Sequence, residues 1–170
     1  MKTIRKNDAI ALPVTTPDGV FIACYSDKGL ASLAFPSKRI GTNNSPNSTA
    51  SPQILRWHRT TTAAIRRTLT GRATEDLPPM DFHGGTEFQR AVWAAMRNIS
   101  AGQTCSYGEL AKQIGKPKAV RAVGGACGAN PIPVLVPCHR VLAANKQIGG
   151  FSGGLDWKRR LLEREGVRVQ

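Results

Sequence analysis

At 170 residues the chain has material for one sizeable core, or one core with a small companion module, but not for two full-sized domains. Lys and Arg number 24 against 11 Asp and Glu, a formal charge of +13 that favours a polyanionic partner such as nucleic acid or an acidic membrane surface. No stretch approaches the roughly 20 apolar residues of a spanning helix, no apolar leader follows Met1, and the four cysteines form no Cys-x-x-Cys pair, so a membrane protein is not expected and a reducing cytosol is.

The positive charge is spread along the chain: residues 1–83 carry 11 basic and 6 acidic groups and residues 84–170 carry 13 and 5, so no lysine-rich arm accounts for it. Apolar runs over residues 9–12, 19–25 and 30–35, broken by Pro17-Asp18-Gly19 and Asp27-Lys28-Gly29, predict a small meander of strands. Residues 41–51 are rich in turn formers without apolar periodicity, which predicts a mobile loop to which no chemistry is assigned. From Pro52 onward Ile54, Leu55, Trp57, Ala64, Ile65 and Leu69 recur at helical spacing, and Gly71 stands where a C-terminal cap belongs. Pro78-Pro79 marks a linker, which divides the chain into an N-terminal sheet-and-helix domain over residues 1–83 and a C-terminal domain over residues 84–170.

Thr86 and Gln89 form a capping pair, and Phe88, Val92, Ala95, Met96 and Ile99 follow as the core stripe of a helix. Ser106 and Glu109 repeat the device ahead of a helix through Leu110 and Ile114 that Gly115 ends. Pro117 is expected at the first position of the next helix, and the pair predicts a helix-turn-helix. In its second helix Val120, Val123 and Cys127 are expected to point one way, while Lys118, Arg121, Gly125 and Gly128 share another face that is basic at one end and bare elsewhere. Each mid-helix glycine costs about 1 kcal/mol relative to alanine, so another surface must come close. A neighbouring helix and a nucleic-acid groove both meet that need, and Arg121 on the same stripe favours nucleic acid.

Cys138 ends the apolar run Pro133-Val134-Leu135-Val136-Pro137 and is followed by His139 and Arg140. A thiol is activated by a neighbouring base or positive charge, and both residues are candidates; a buried structural cysteine beside a core histidine is the alternative. On the last helix Trp157, Leu161 and Leu162 form an inward stripe that Glu165 continues, which aims a carboxylate at the core. A Cys-His-Glu relay would satisfy it, and a Glu at a frayed helix end before Gly166 would not require one.

These residues sit within longer segments: Ser106-Tyr107-Gly108-Glu109-Leu110-Ala111, Gly115 to Gly124, Asn130-Pro131, Pro137-Cys138-His139-Arg140-Val141, Gly153-Gly154 and Leu161-Leu162 with Glu165. Taken together they resemble the O6-alkylguanine-DNA alkyltransferases, strongly over residues 84–170 and only in layout over the first 80. The resemblance implies an α+β fold in which a small sheet domain packs on a mostly helical, winged-helix-like domain. It implies irreversible, once-only transfer of an alkyl group from O6 of guanine to Cys138, with His139 as base through a water, Glu165 orienting His139, and Asn130 bridging helix and cysteine loop. Tyr107 would help to rotate the target nucleotide and to protonate the departing guanine, Arg121 would fill the gap in the base stack, and the second helix would enter the minor groove, with Lys118, Ala122, Gly125 and Gly128 on the DNA side. Val136, Pro137, Phe151, Ser152 and Gly153 would form the substrate pocket.

The resemblance further implies a monomer in solution acting on duplex DNA that carries O6-alkylguanine, in the cytoplasm, or the nucleus of a eukaryote; O4-alkylthymine activity and cooperative DNA binding stay open. No cofactor is expected, and no metal: Cys24, His58 and His83 fall short of the four-ligand zinc set some members carry in the N-terminal half. Phe151 departs from the Tyr common at that position, and Cys105 precedes the usual Ser-Tyr start. Three rivals remain: a helix-turn-helix regulator, a lesion-binding relative that transfers nothing, and a Cys-His hydrolase that turns over on an ester or amide.

Overall fold

A computed structural model describes residues 9–36 and 50–169; the expected loop 41–51 lies outside the described residues except for its last two. The chain opens with an antiparallel meander, β1 (Ile10–Thr16), β2 (Gly19–Tyr25) and β3 (Leu30–Ala34), in the order β1-β2-β3. The first strand runs four residues beyond the apolar stretch that announces it, because Pro13 to Thr16 pair in register with Gly19 to Ile22. Gly19 closes that hairpin at φ +119°, and a Cβ there would sit 2.8 Å from Pro36, so both backbone angle and space demand glycine. Strand alternation buries Phe21, Ala23 and Tyr25 on one face.

Helix α1 (Pro52–Thr68) starts on a Ser51 side-chain cap and lays Thr61, Ala64, Ile65 and Thr68 inward. The expected glycine stop stands one turn past its end, at Gly71 with φ +76°. Helix α2 (Glu87–Arg97) carries the complete Thr86/Gln89 capping box, and helix α3 (Tyr107–Gln113) the complete Ser106/Glu109 box. Each box satisfies two amide donors that a helix start leaves without partners.

The second helix of the helix-turn-helix, α4, spans Val120–Gly128. Pro117 does not open it: residues 117–118 form a turn in which the Ala119 amide donates to Lys116 O at 2.9 Å, and Ala119 is the cap. Lys118 therefore precedes the helix instead of extending its face. Val120 is 40% exposed, whereas Val123, Ala126 and Cys127 form the buried stripe. Trp93 of α2 locks onto this helix, its indole N–H donating to Ala126 O at 2.8 Å.

Beside the helices, β4 (Cys105–Ser106) pairs in parallel with β5 (Val141–Leu142), a two-residue ladder in place of an extended wing. Helix α5 (Leu155–Arg164) closes the fold. One hydrophobic cluster runs from the meander into the helical half. Phe21 and Phe35 pack on Trp157 at centroid distances of 5.4 and 5.0 Å, and Phe35 meets Phe151 at 5.6 Å. The Leu33 amide donates to Pro131 O at 2.9 Å, and Arg164 grips Asp18 through two bonds of 2.7 and 2.8 Å. The meander thus braces both the segment before Cys138 and the helix that Glu165 caps. Among the described residues no helix is long and apolar enough to cross a membrane.

Candidate active site and nucleic-acid interface

One side chain ties the segment between α4 and β5 to itself. Asn130, 6% exposed, donates from Nδ2 to Val136 O at 2.9 Å and accepts from the Ile132 amide at Oδ1 at 3.0 Å. It replaces the ladder that an apolar loop cannot provide for itself. Within the loop Val134 sits at φ 73° and is buried, a conformation costing roughly 1–3 kcal/mol for a β-branched residue unless its surroundings impose it. The chain then tightens into a 3-10 turn, Cys138–Arg140, whose first amide donates to Val136 O at 2.8 Å.

That turn directs its three side chains differently. His139 is fully buried, with Nε2 3.0 Å from Glu165 Oε1. The Glu165 side chain is 1% exposed and caps the end of α5, so it is neither frayed nor free. Arg140 reaches the same carboxylate, with Nε at 3.0 Å from Oε2 and Nη2 at 2.8 Å from Oε1, and donates from Nη1 to Ile99 O at 2.6 Å. Arg140 is therefore not the cation that faces the thiol. The charge that acts on the thiol is instead that of Lys158, a residue whose position on a charged-looking helix gave no signal in the sequence. It is 0% exposed, and its ammonium donates to Val141 O at 2.7 Å and Gly150 O at 3.1 Å.

The charges follow from burial and partners. Burial pushes the Cys138 thiol up, opposed by a hydrogen bond from Asn130 and the Lys158 charge. Burial lowers His139, with Glu165 opposing, so the imidazole rests neutral. Burial would also raise Glu165, but hydrogen bonds from His139 and Arg140 and the Arg140 charge bring it to about 2. Desolvation lowers Lys158 to about 8. With Nε2–H donated to the carboxylate, Nδ1 of His139 carries the lone pair, and it has no hydrogen-bond partner among the described residues. The resting pair is thiol and imidazole, not thiolate and imidazolium, and proton removal must accompany attack by sulfur.

Cys138 opens into a cavity of about 190 Å³ lined by Tyr107, Gly124, Cys127, Gly128, Gly150, Phe151 and Ser152. Larger clefts lie elsewhere, and size does not locate the chemistry: one of about 590 Å³ runs behind the same loop past Asn98, Pro137 and Arg140. The structure brings Tyr107, Phe151 and Ser152 to the cavity with Cys138. It places Pro137 on the rear cleft, turns Gly153 against the Phe35 ring, and leaves Val136 buried with its carbonyl on Asn130. Burial raises the Tyr107 phenol, which keeps its proton at neutral pH.

The cavity abuts the outer side of α4, where Arg121, Ala122, Gly125 and Gly128 are exposed. A Cβ built on Gly125 or Gly128 would meet nothing within 4 Å. Among the described residues no neighbouring helix accounts for these glycines, and this face of α4 is bare.

A helix-turn-helix that presents such a face beside a buried cysteine, histidine and carboxylate defines a protein with a DNA-binding domain built around a thiol. A family model described as 6-O-methylguanine DNA methyltransferase, DNA binding domain, matches residues 87–167. The methylated-DNA--protein-cysteine methyltransferase of Haemophilus influenzae is 54% identical over 83 residues, 49% of this chain and 46% of that protein. The protein of the same name from Mycolicibacterium paratuberculosis is 53% identical over 95 residues, 56% of this chain and 57% of that one. The chain thus spans about half the length of the curated relatives it matches. A crystal structure of Mycobacterium tuberculosis OGT in complex with DNA superposes with a TM-score of 0.73 at 36% identity, covering 90% of both chains. This chain belongs to the O6-methylguanine-DNA methyltransferase family.

Proposed function

We propose that this protein repairs alkylated DNA by moving the alkyl group from O6 of guanine to Cys138 Sγ, once per molecule. The observation that carries the reading is Cys138 lining a cavity beside the bare face of α4, with a neutral histidine on a buried carboxylate next to it in the same turn. The histidine and carboxylate supply the proton acceptor a buried thiol needs. Residues 84–170 act as the alkyltransferase and DNA-binding domain, and residues 1–83 as the module that braces it.

Duplex DNA lies against α4 with Arg121, Ala122, Gly125 and Gly128 toward the minor groove, and Lys118 on the preceding turn meets a phosphate. The damaged guanine leaves the stack and enters the cavity, with Arg121 filling the space it vacates. The Cys138 proton passes toward His139 Nδ1 as sulfur attacks the alkyl carbon. The S–C bond forms, the C–O6 bond breaks, and its electron pair returns to the guanine, which takes up a proton with the help of the Tyr107 hydroxyl. Glu165 stabilises the imidazolium that appears at this step. The thioether product does not hydrolyse, so the protein is consumed. No cofactor takes part, and the cytoplasm is the proposed compartment.

Intact-protein and peptide mass spectrometry after incubation with duplex containing O6-methylguanine tests the proposal. One methyl on Cys138, gained only from the damaged duplex and absent in Cys138→Ala, is the expected result. Folded protein that binds the lesion and gains no methyl would instead be a lesion reader.

A further inference from the structure

The alkyl-accepting cavity contains a second thiol that the transfer does not use. Cys127, in the last turn of α4, is 5% exposed and lines the same cavity as Cys138, which is 4% exposed. Both residues line one cavity of about 190 Å³, Cys127 from α4 and Cys138 from the 3-10 turn. We infer that Cys127 and Cys138 form a reversible disulfide when the protein meets a peroxide, and that the bond closes the cavity. The bond rests on the cavity alone; its consequence for transfer rests on the function proposed above.

The surroundings favour this pair over the other cysteines. Cys24 lies on β2 of the meander, outside the cavity. Cys105 is buried, but its thiol bonds with Ser106 O at 3.4 Å and Gln113 Nε2 at 3.9 Å, outside the residues that line the cavity. The field of Lys158 falls on both cavity thiols and opposes the rise that burial imposes on each, Cys127 to about 12. Lys158 is thus the cation that offsets burial when either sulfur ionises.

The chemistry balances with peroxide as the oxidant. Cys138 sulfur attacks one peroxide oxygen; the S–O bond forms, the O–O bond breaks, and the leaving hydroxide takes the thiol proton as water. Cys127 sulfur then attacks the sulfenic sulfur; the S–S bond forms, the S–O bond breaks, and a second water leaves. Two thiols lose two electrons and two protons, and the peroxide is reduced to two waters. A sulfenic acid without a resolving thiol proceeds to sulfinic and sulfonic acids, which thiols do not reverse. For a protein that holds a single acceptor, a resolving cysteine in the same cavity turns permanent loss into storage.

The test exposes the full chain to stepwise hydrogen peroxide, removes excess oxidant with catalase, blocks free thiols and maps peptides without reduction. The expected result is a peptide linking Cys127 to Cys138, a fall from four free thiols to two, an intact mass lower by two hydrogens, and full return with dithiothreitol. The oxidised protein should accept no alkyl group until reduced. Cys127→Ala and Cys127→Ser, both checked for folding by circular dichroism, should show sulfinic acid on Cys138 at the same dose, without recovery. Irreversible oxidation of Cys138 in the unmodified protein at that dose, or a link that uses Cys105, would overturn the inference. A reversible Cys127–Cys138 link in a protein that accepts no alkyl group even when reduced would instead count against the transfer reading.

Discussion

Substituting Glu165→Gln isolates the charge behind the proposed base. The carboxylate is brought from 4.5 to about 2, which at ~1.4 kcal/mol per unit corresponds to ~3 kcal/mol of folding free energy. Burial keeps His139 neutral, so the imidazole contributes a hydrogen bond and Arg140 the ionic part. We therefore expect a loss of ~2 kcal/mol at neutral pH, since glutamine retains some hydrogen bonding but leaves the Arg140 guanidinium without its counter-charge. The sign follows from the depressed value: the contribution is complete above the unfolded carboxylate range near 4.5 and is lost as pH falls through about 2. Urea unfolding of both proteins across that range should give midpoints that converge on acidification. Single-turnover transfer to Cys138 should slow by roughly 10²–10⁴-fold, the span of general acid–base effects, because the imidazolium is no longer stabilised. Equal stability at neutral pH together with an unchanged transfer rate would refute the assignment of Glu165 as the charge that serves His139.

Three further outcomes follow from the same geometry. Gly125→Leu places a side chain where nothing lies within 4 Å, so thermal stability should rise by up to about 1 kcal/mol while fluorescence anisotropy shows weaker duplex binding; unchanged affinity would remove this face from the interface. Arg121→Ala should slow repair of a lesion in duplex DNA far more than reaction with the free alkylated base, and equal losses would exclude the gap-filling role. Lys158→Met should remove a pH-dependent term: the native ammonium titrates near 8 against 10.5 unfolded, so between those values the unfolded chain binds the extra proton and stability gains with rising pH. The stability difference between the two proteins should change across that window, and a flat difference would mean that Lys158 is not desolvated as placed.

How far the sequence could be read depended on whether a feature is settled by neighbours in the chain. The capping boxes at Thr86 and Ser106 are complete within three residues, and both were legible along with the helices they start. Cys138, His139 and Arg140 are adjacent, so their presence in a buried turn was legible too, but their directions were not. Arg140 turns from the thiol because Glu165 and Ile99 O, distant in sequence, together satisfy a guanidinium fork better than the cavity does. Pro117 satisfies every local rule for a helix start, yet the turn closed by Ala119 on Lys116 moves the start of α4 to Val120 and carries Lys118 off its face. Lys158 was illegible for the same reason in stronger form. Flanked by Trp157 and Arg159 on an amphipathic helix, it reads as a residue for solvent. Only the carbonyls of Val141 and Gly150, brought together by the return of the chain past β5, make burial of its ammonium tolerable. The same folding event sets that ammonium near Cys127 and Cys138, so the electrostatics of the thiol site are a property of the tertiary structure, whereas its chemical groups are a property of the motif.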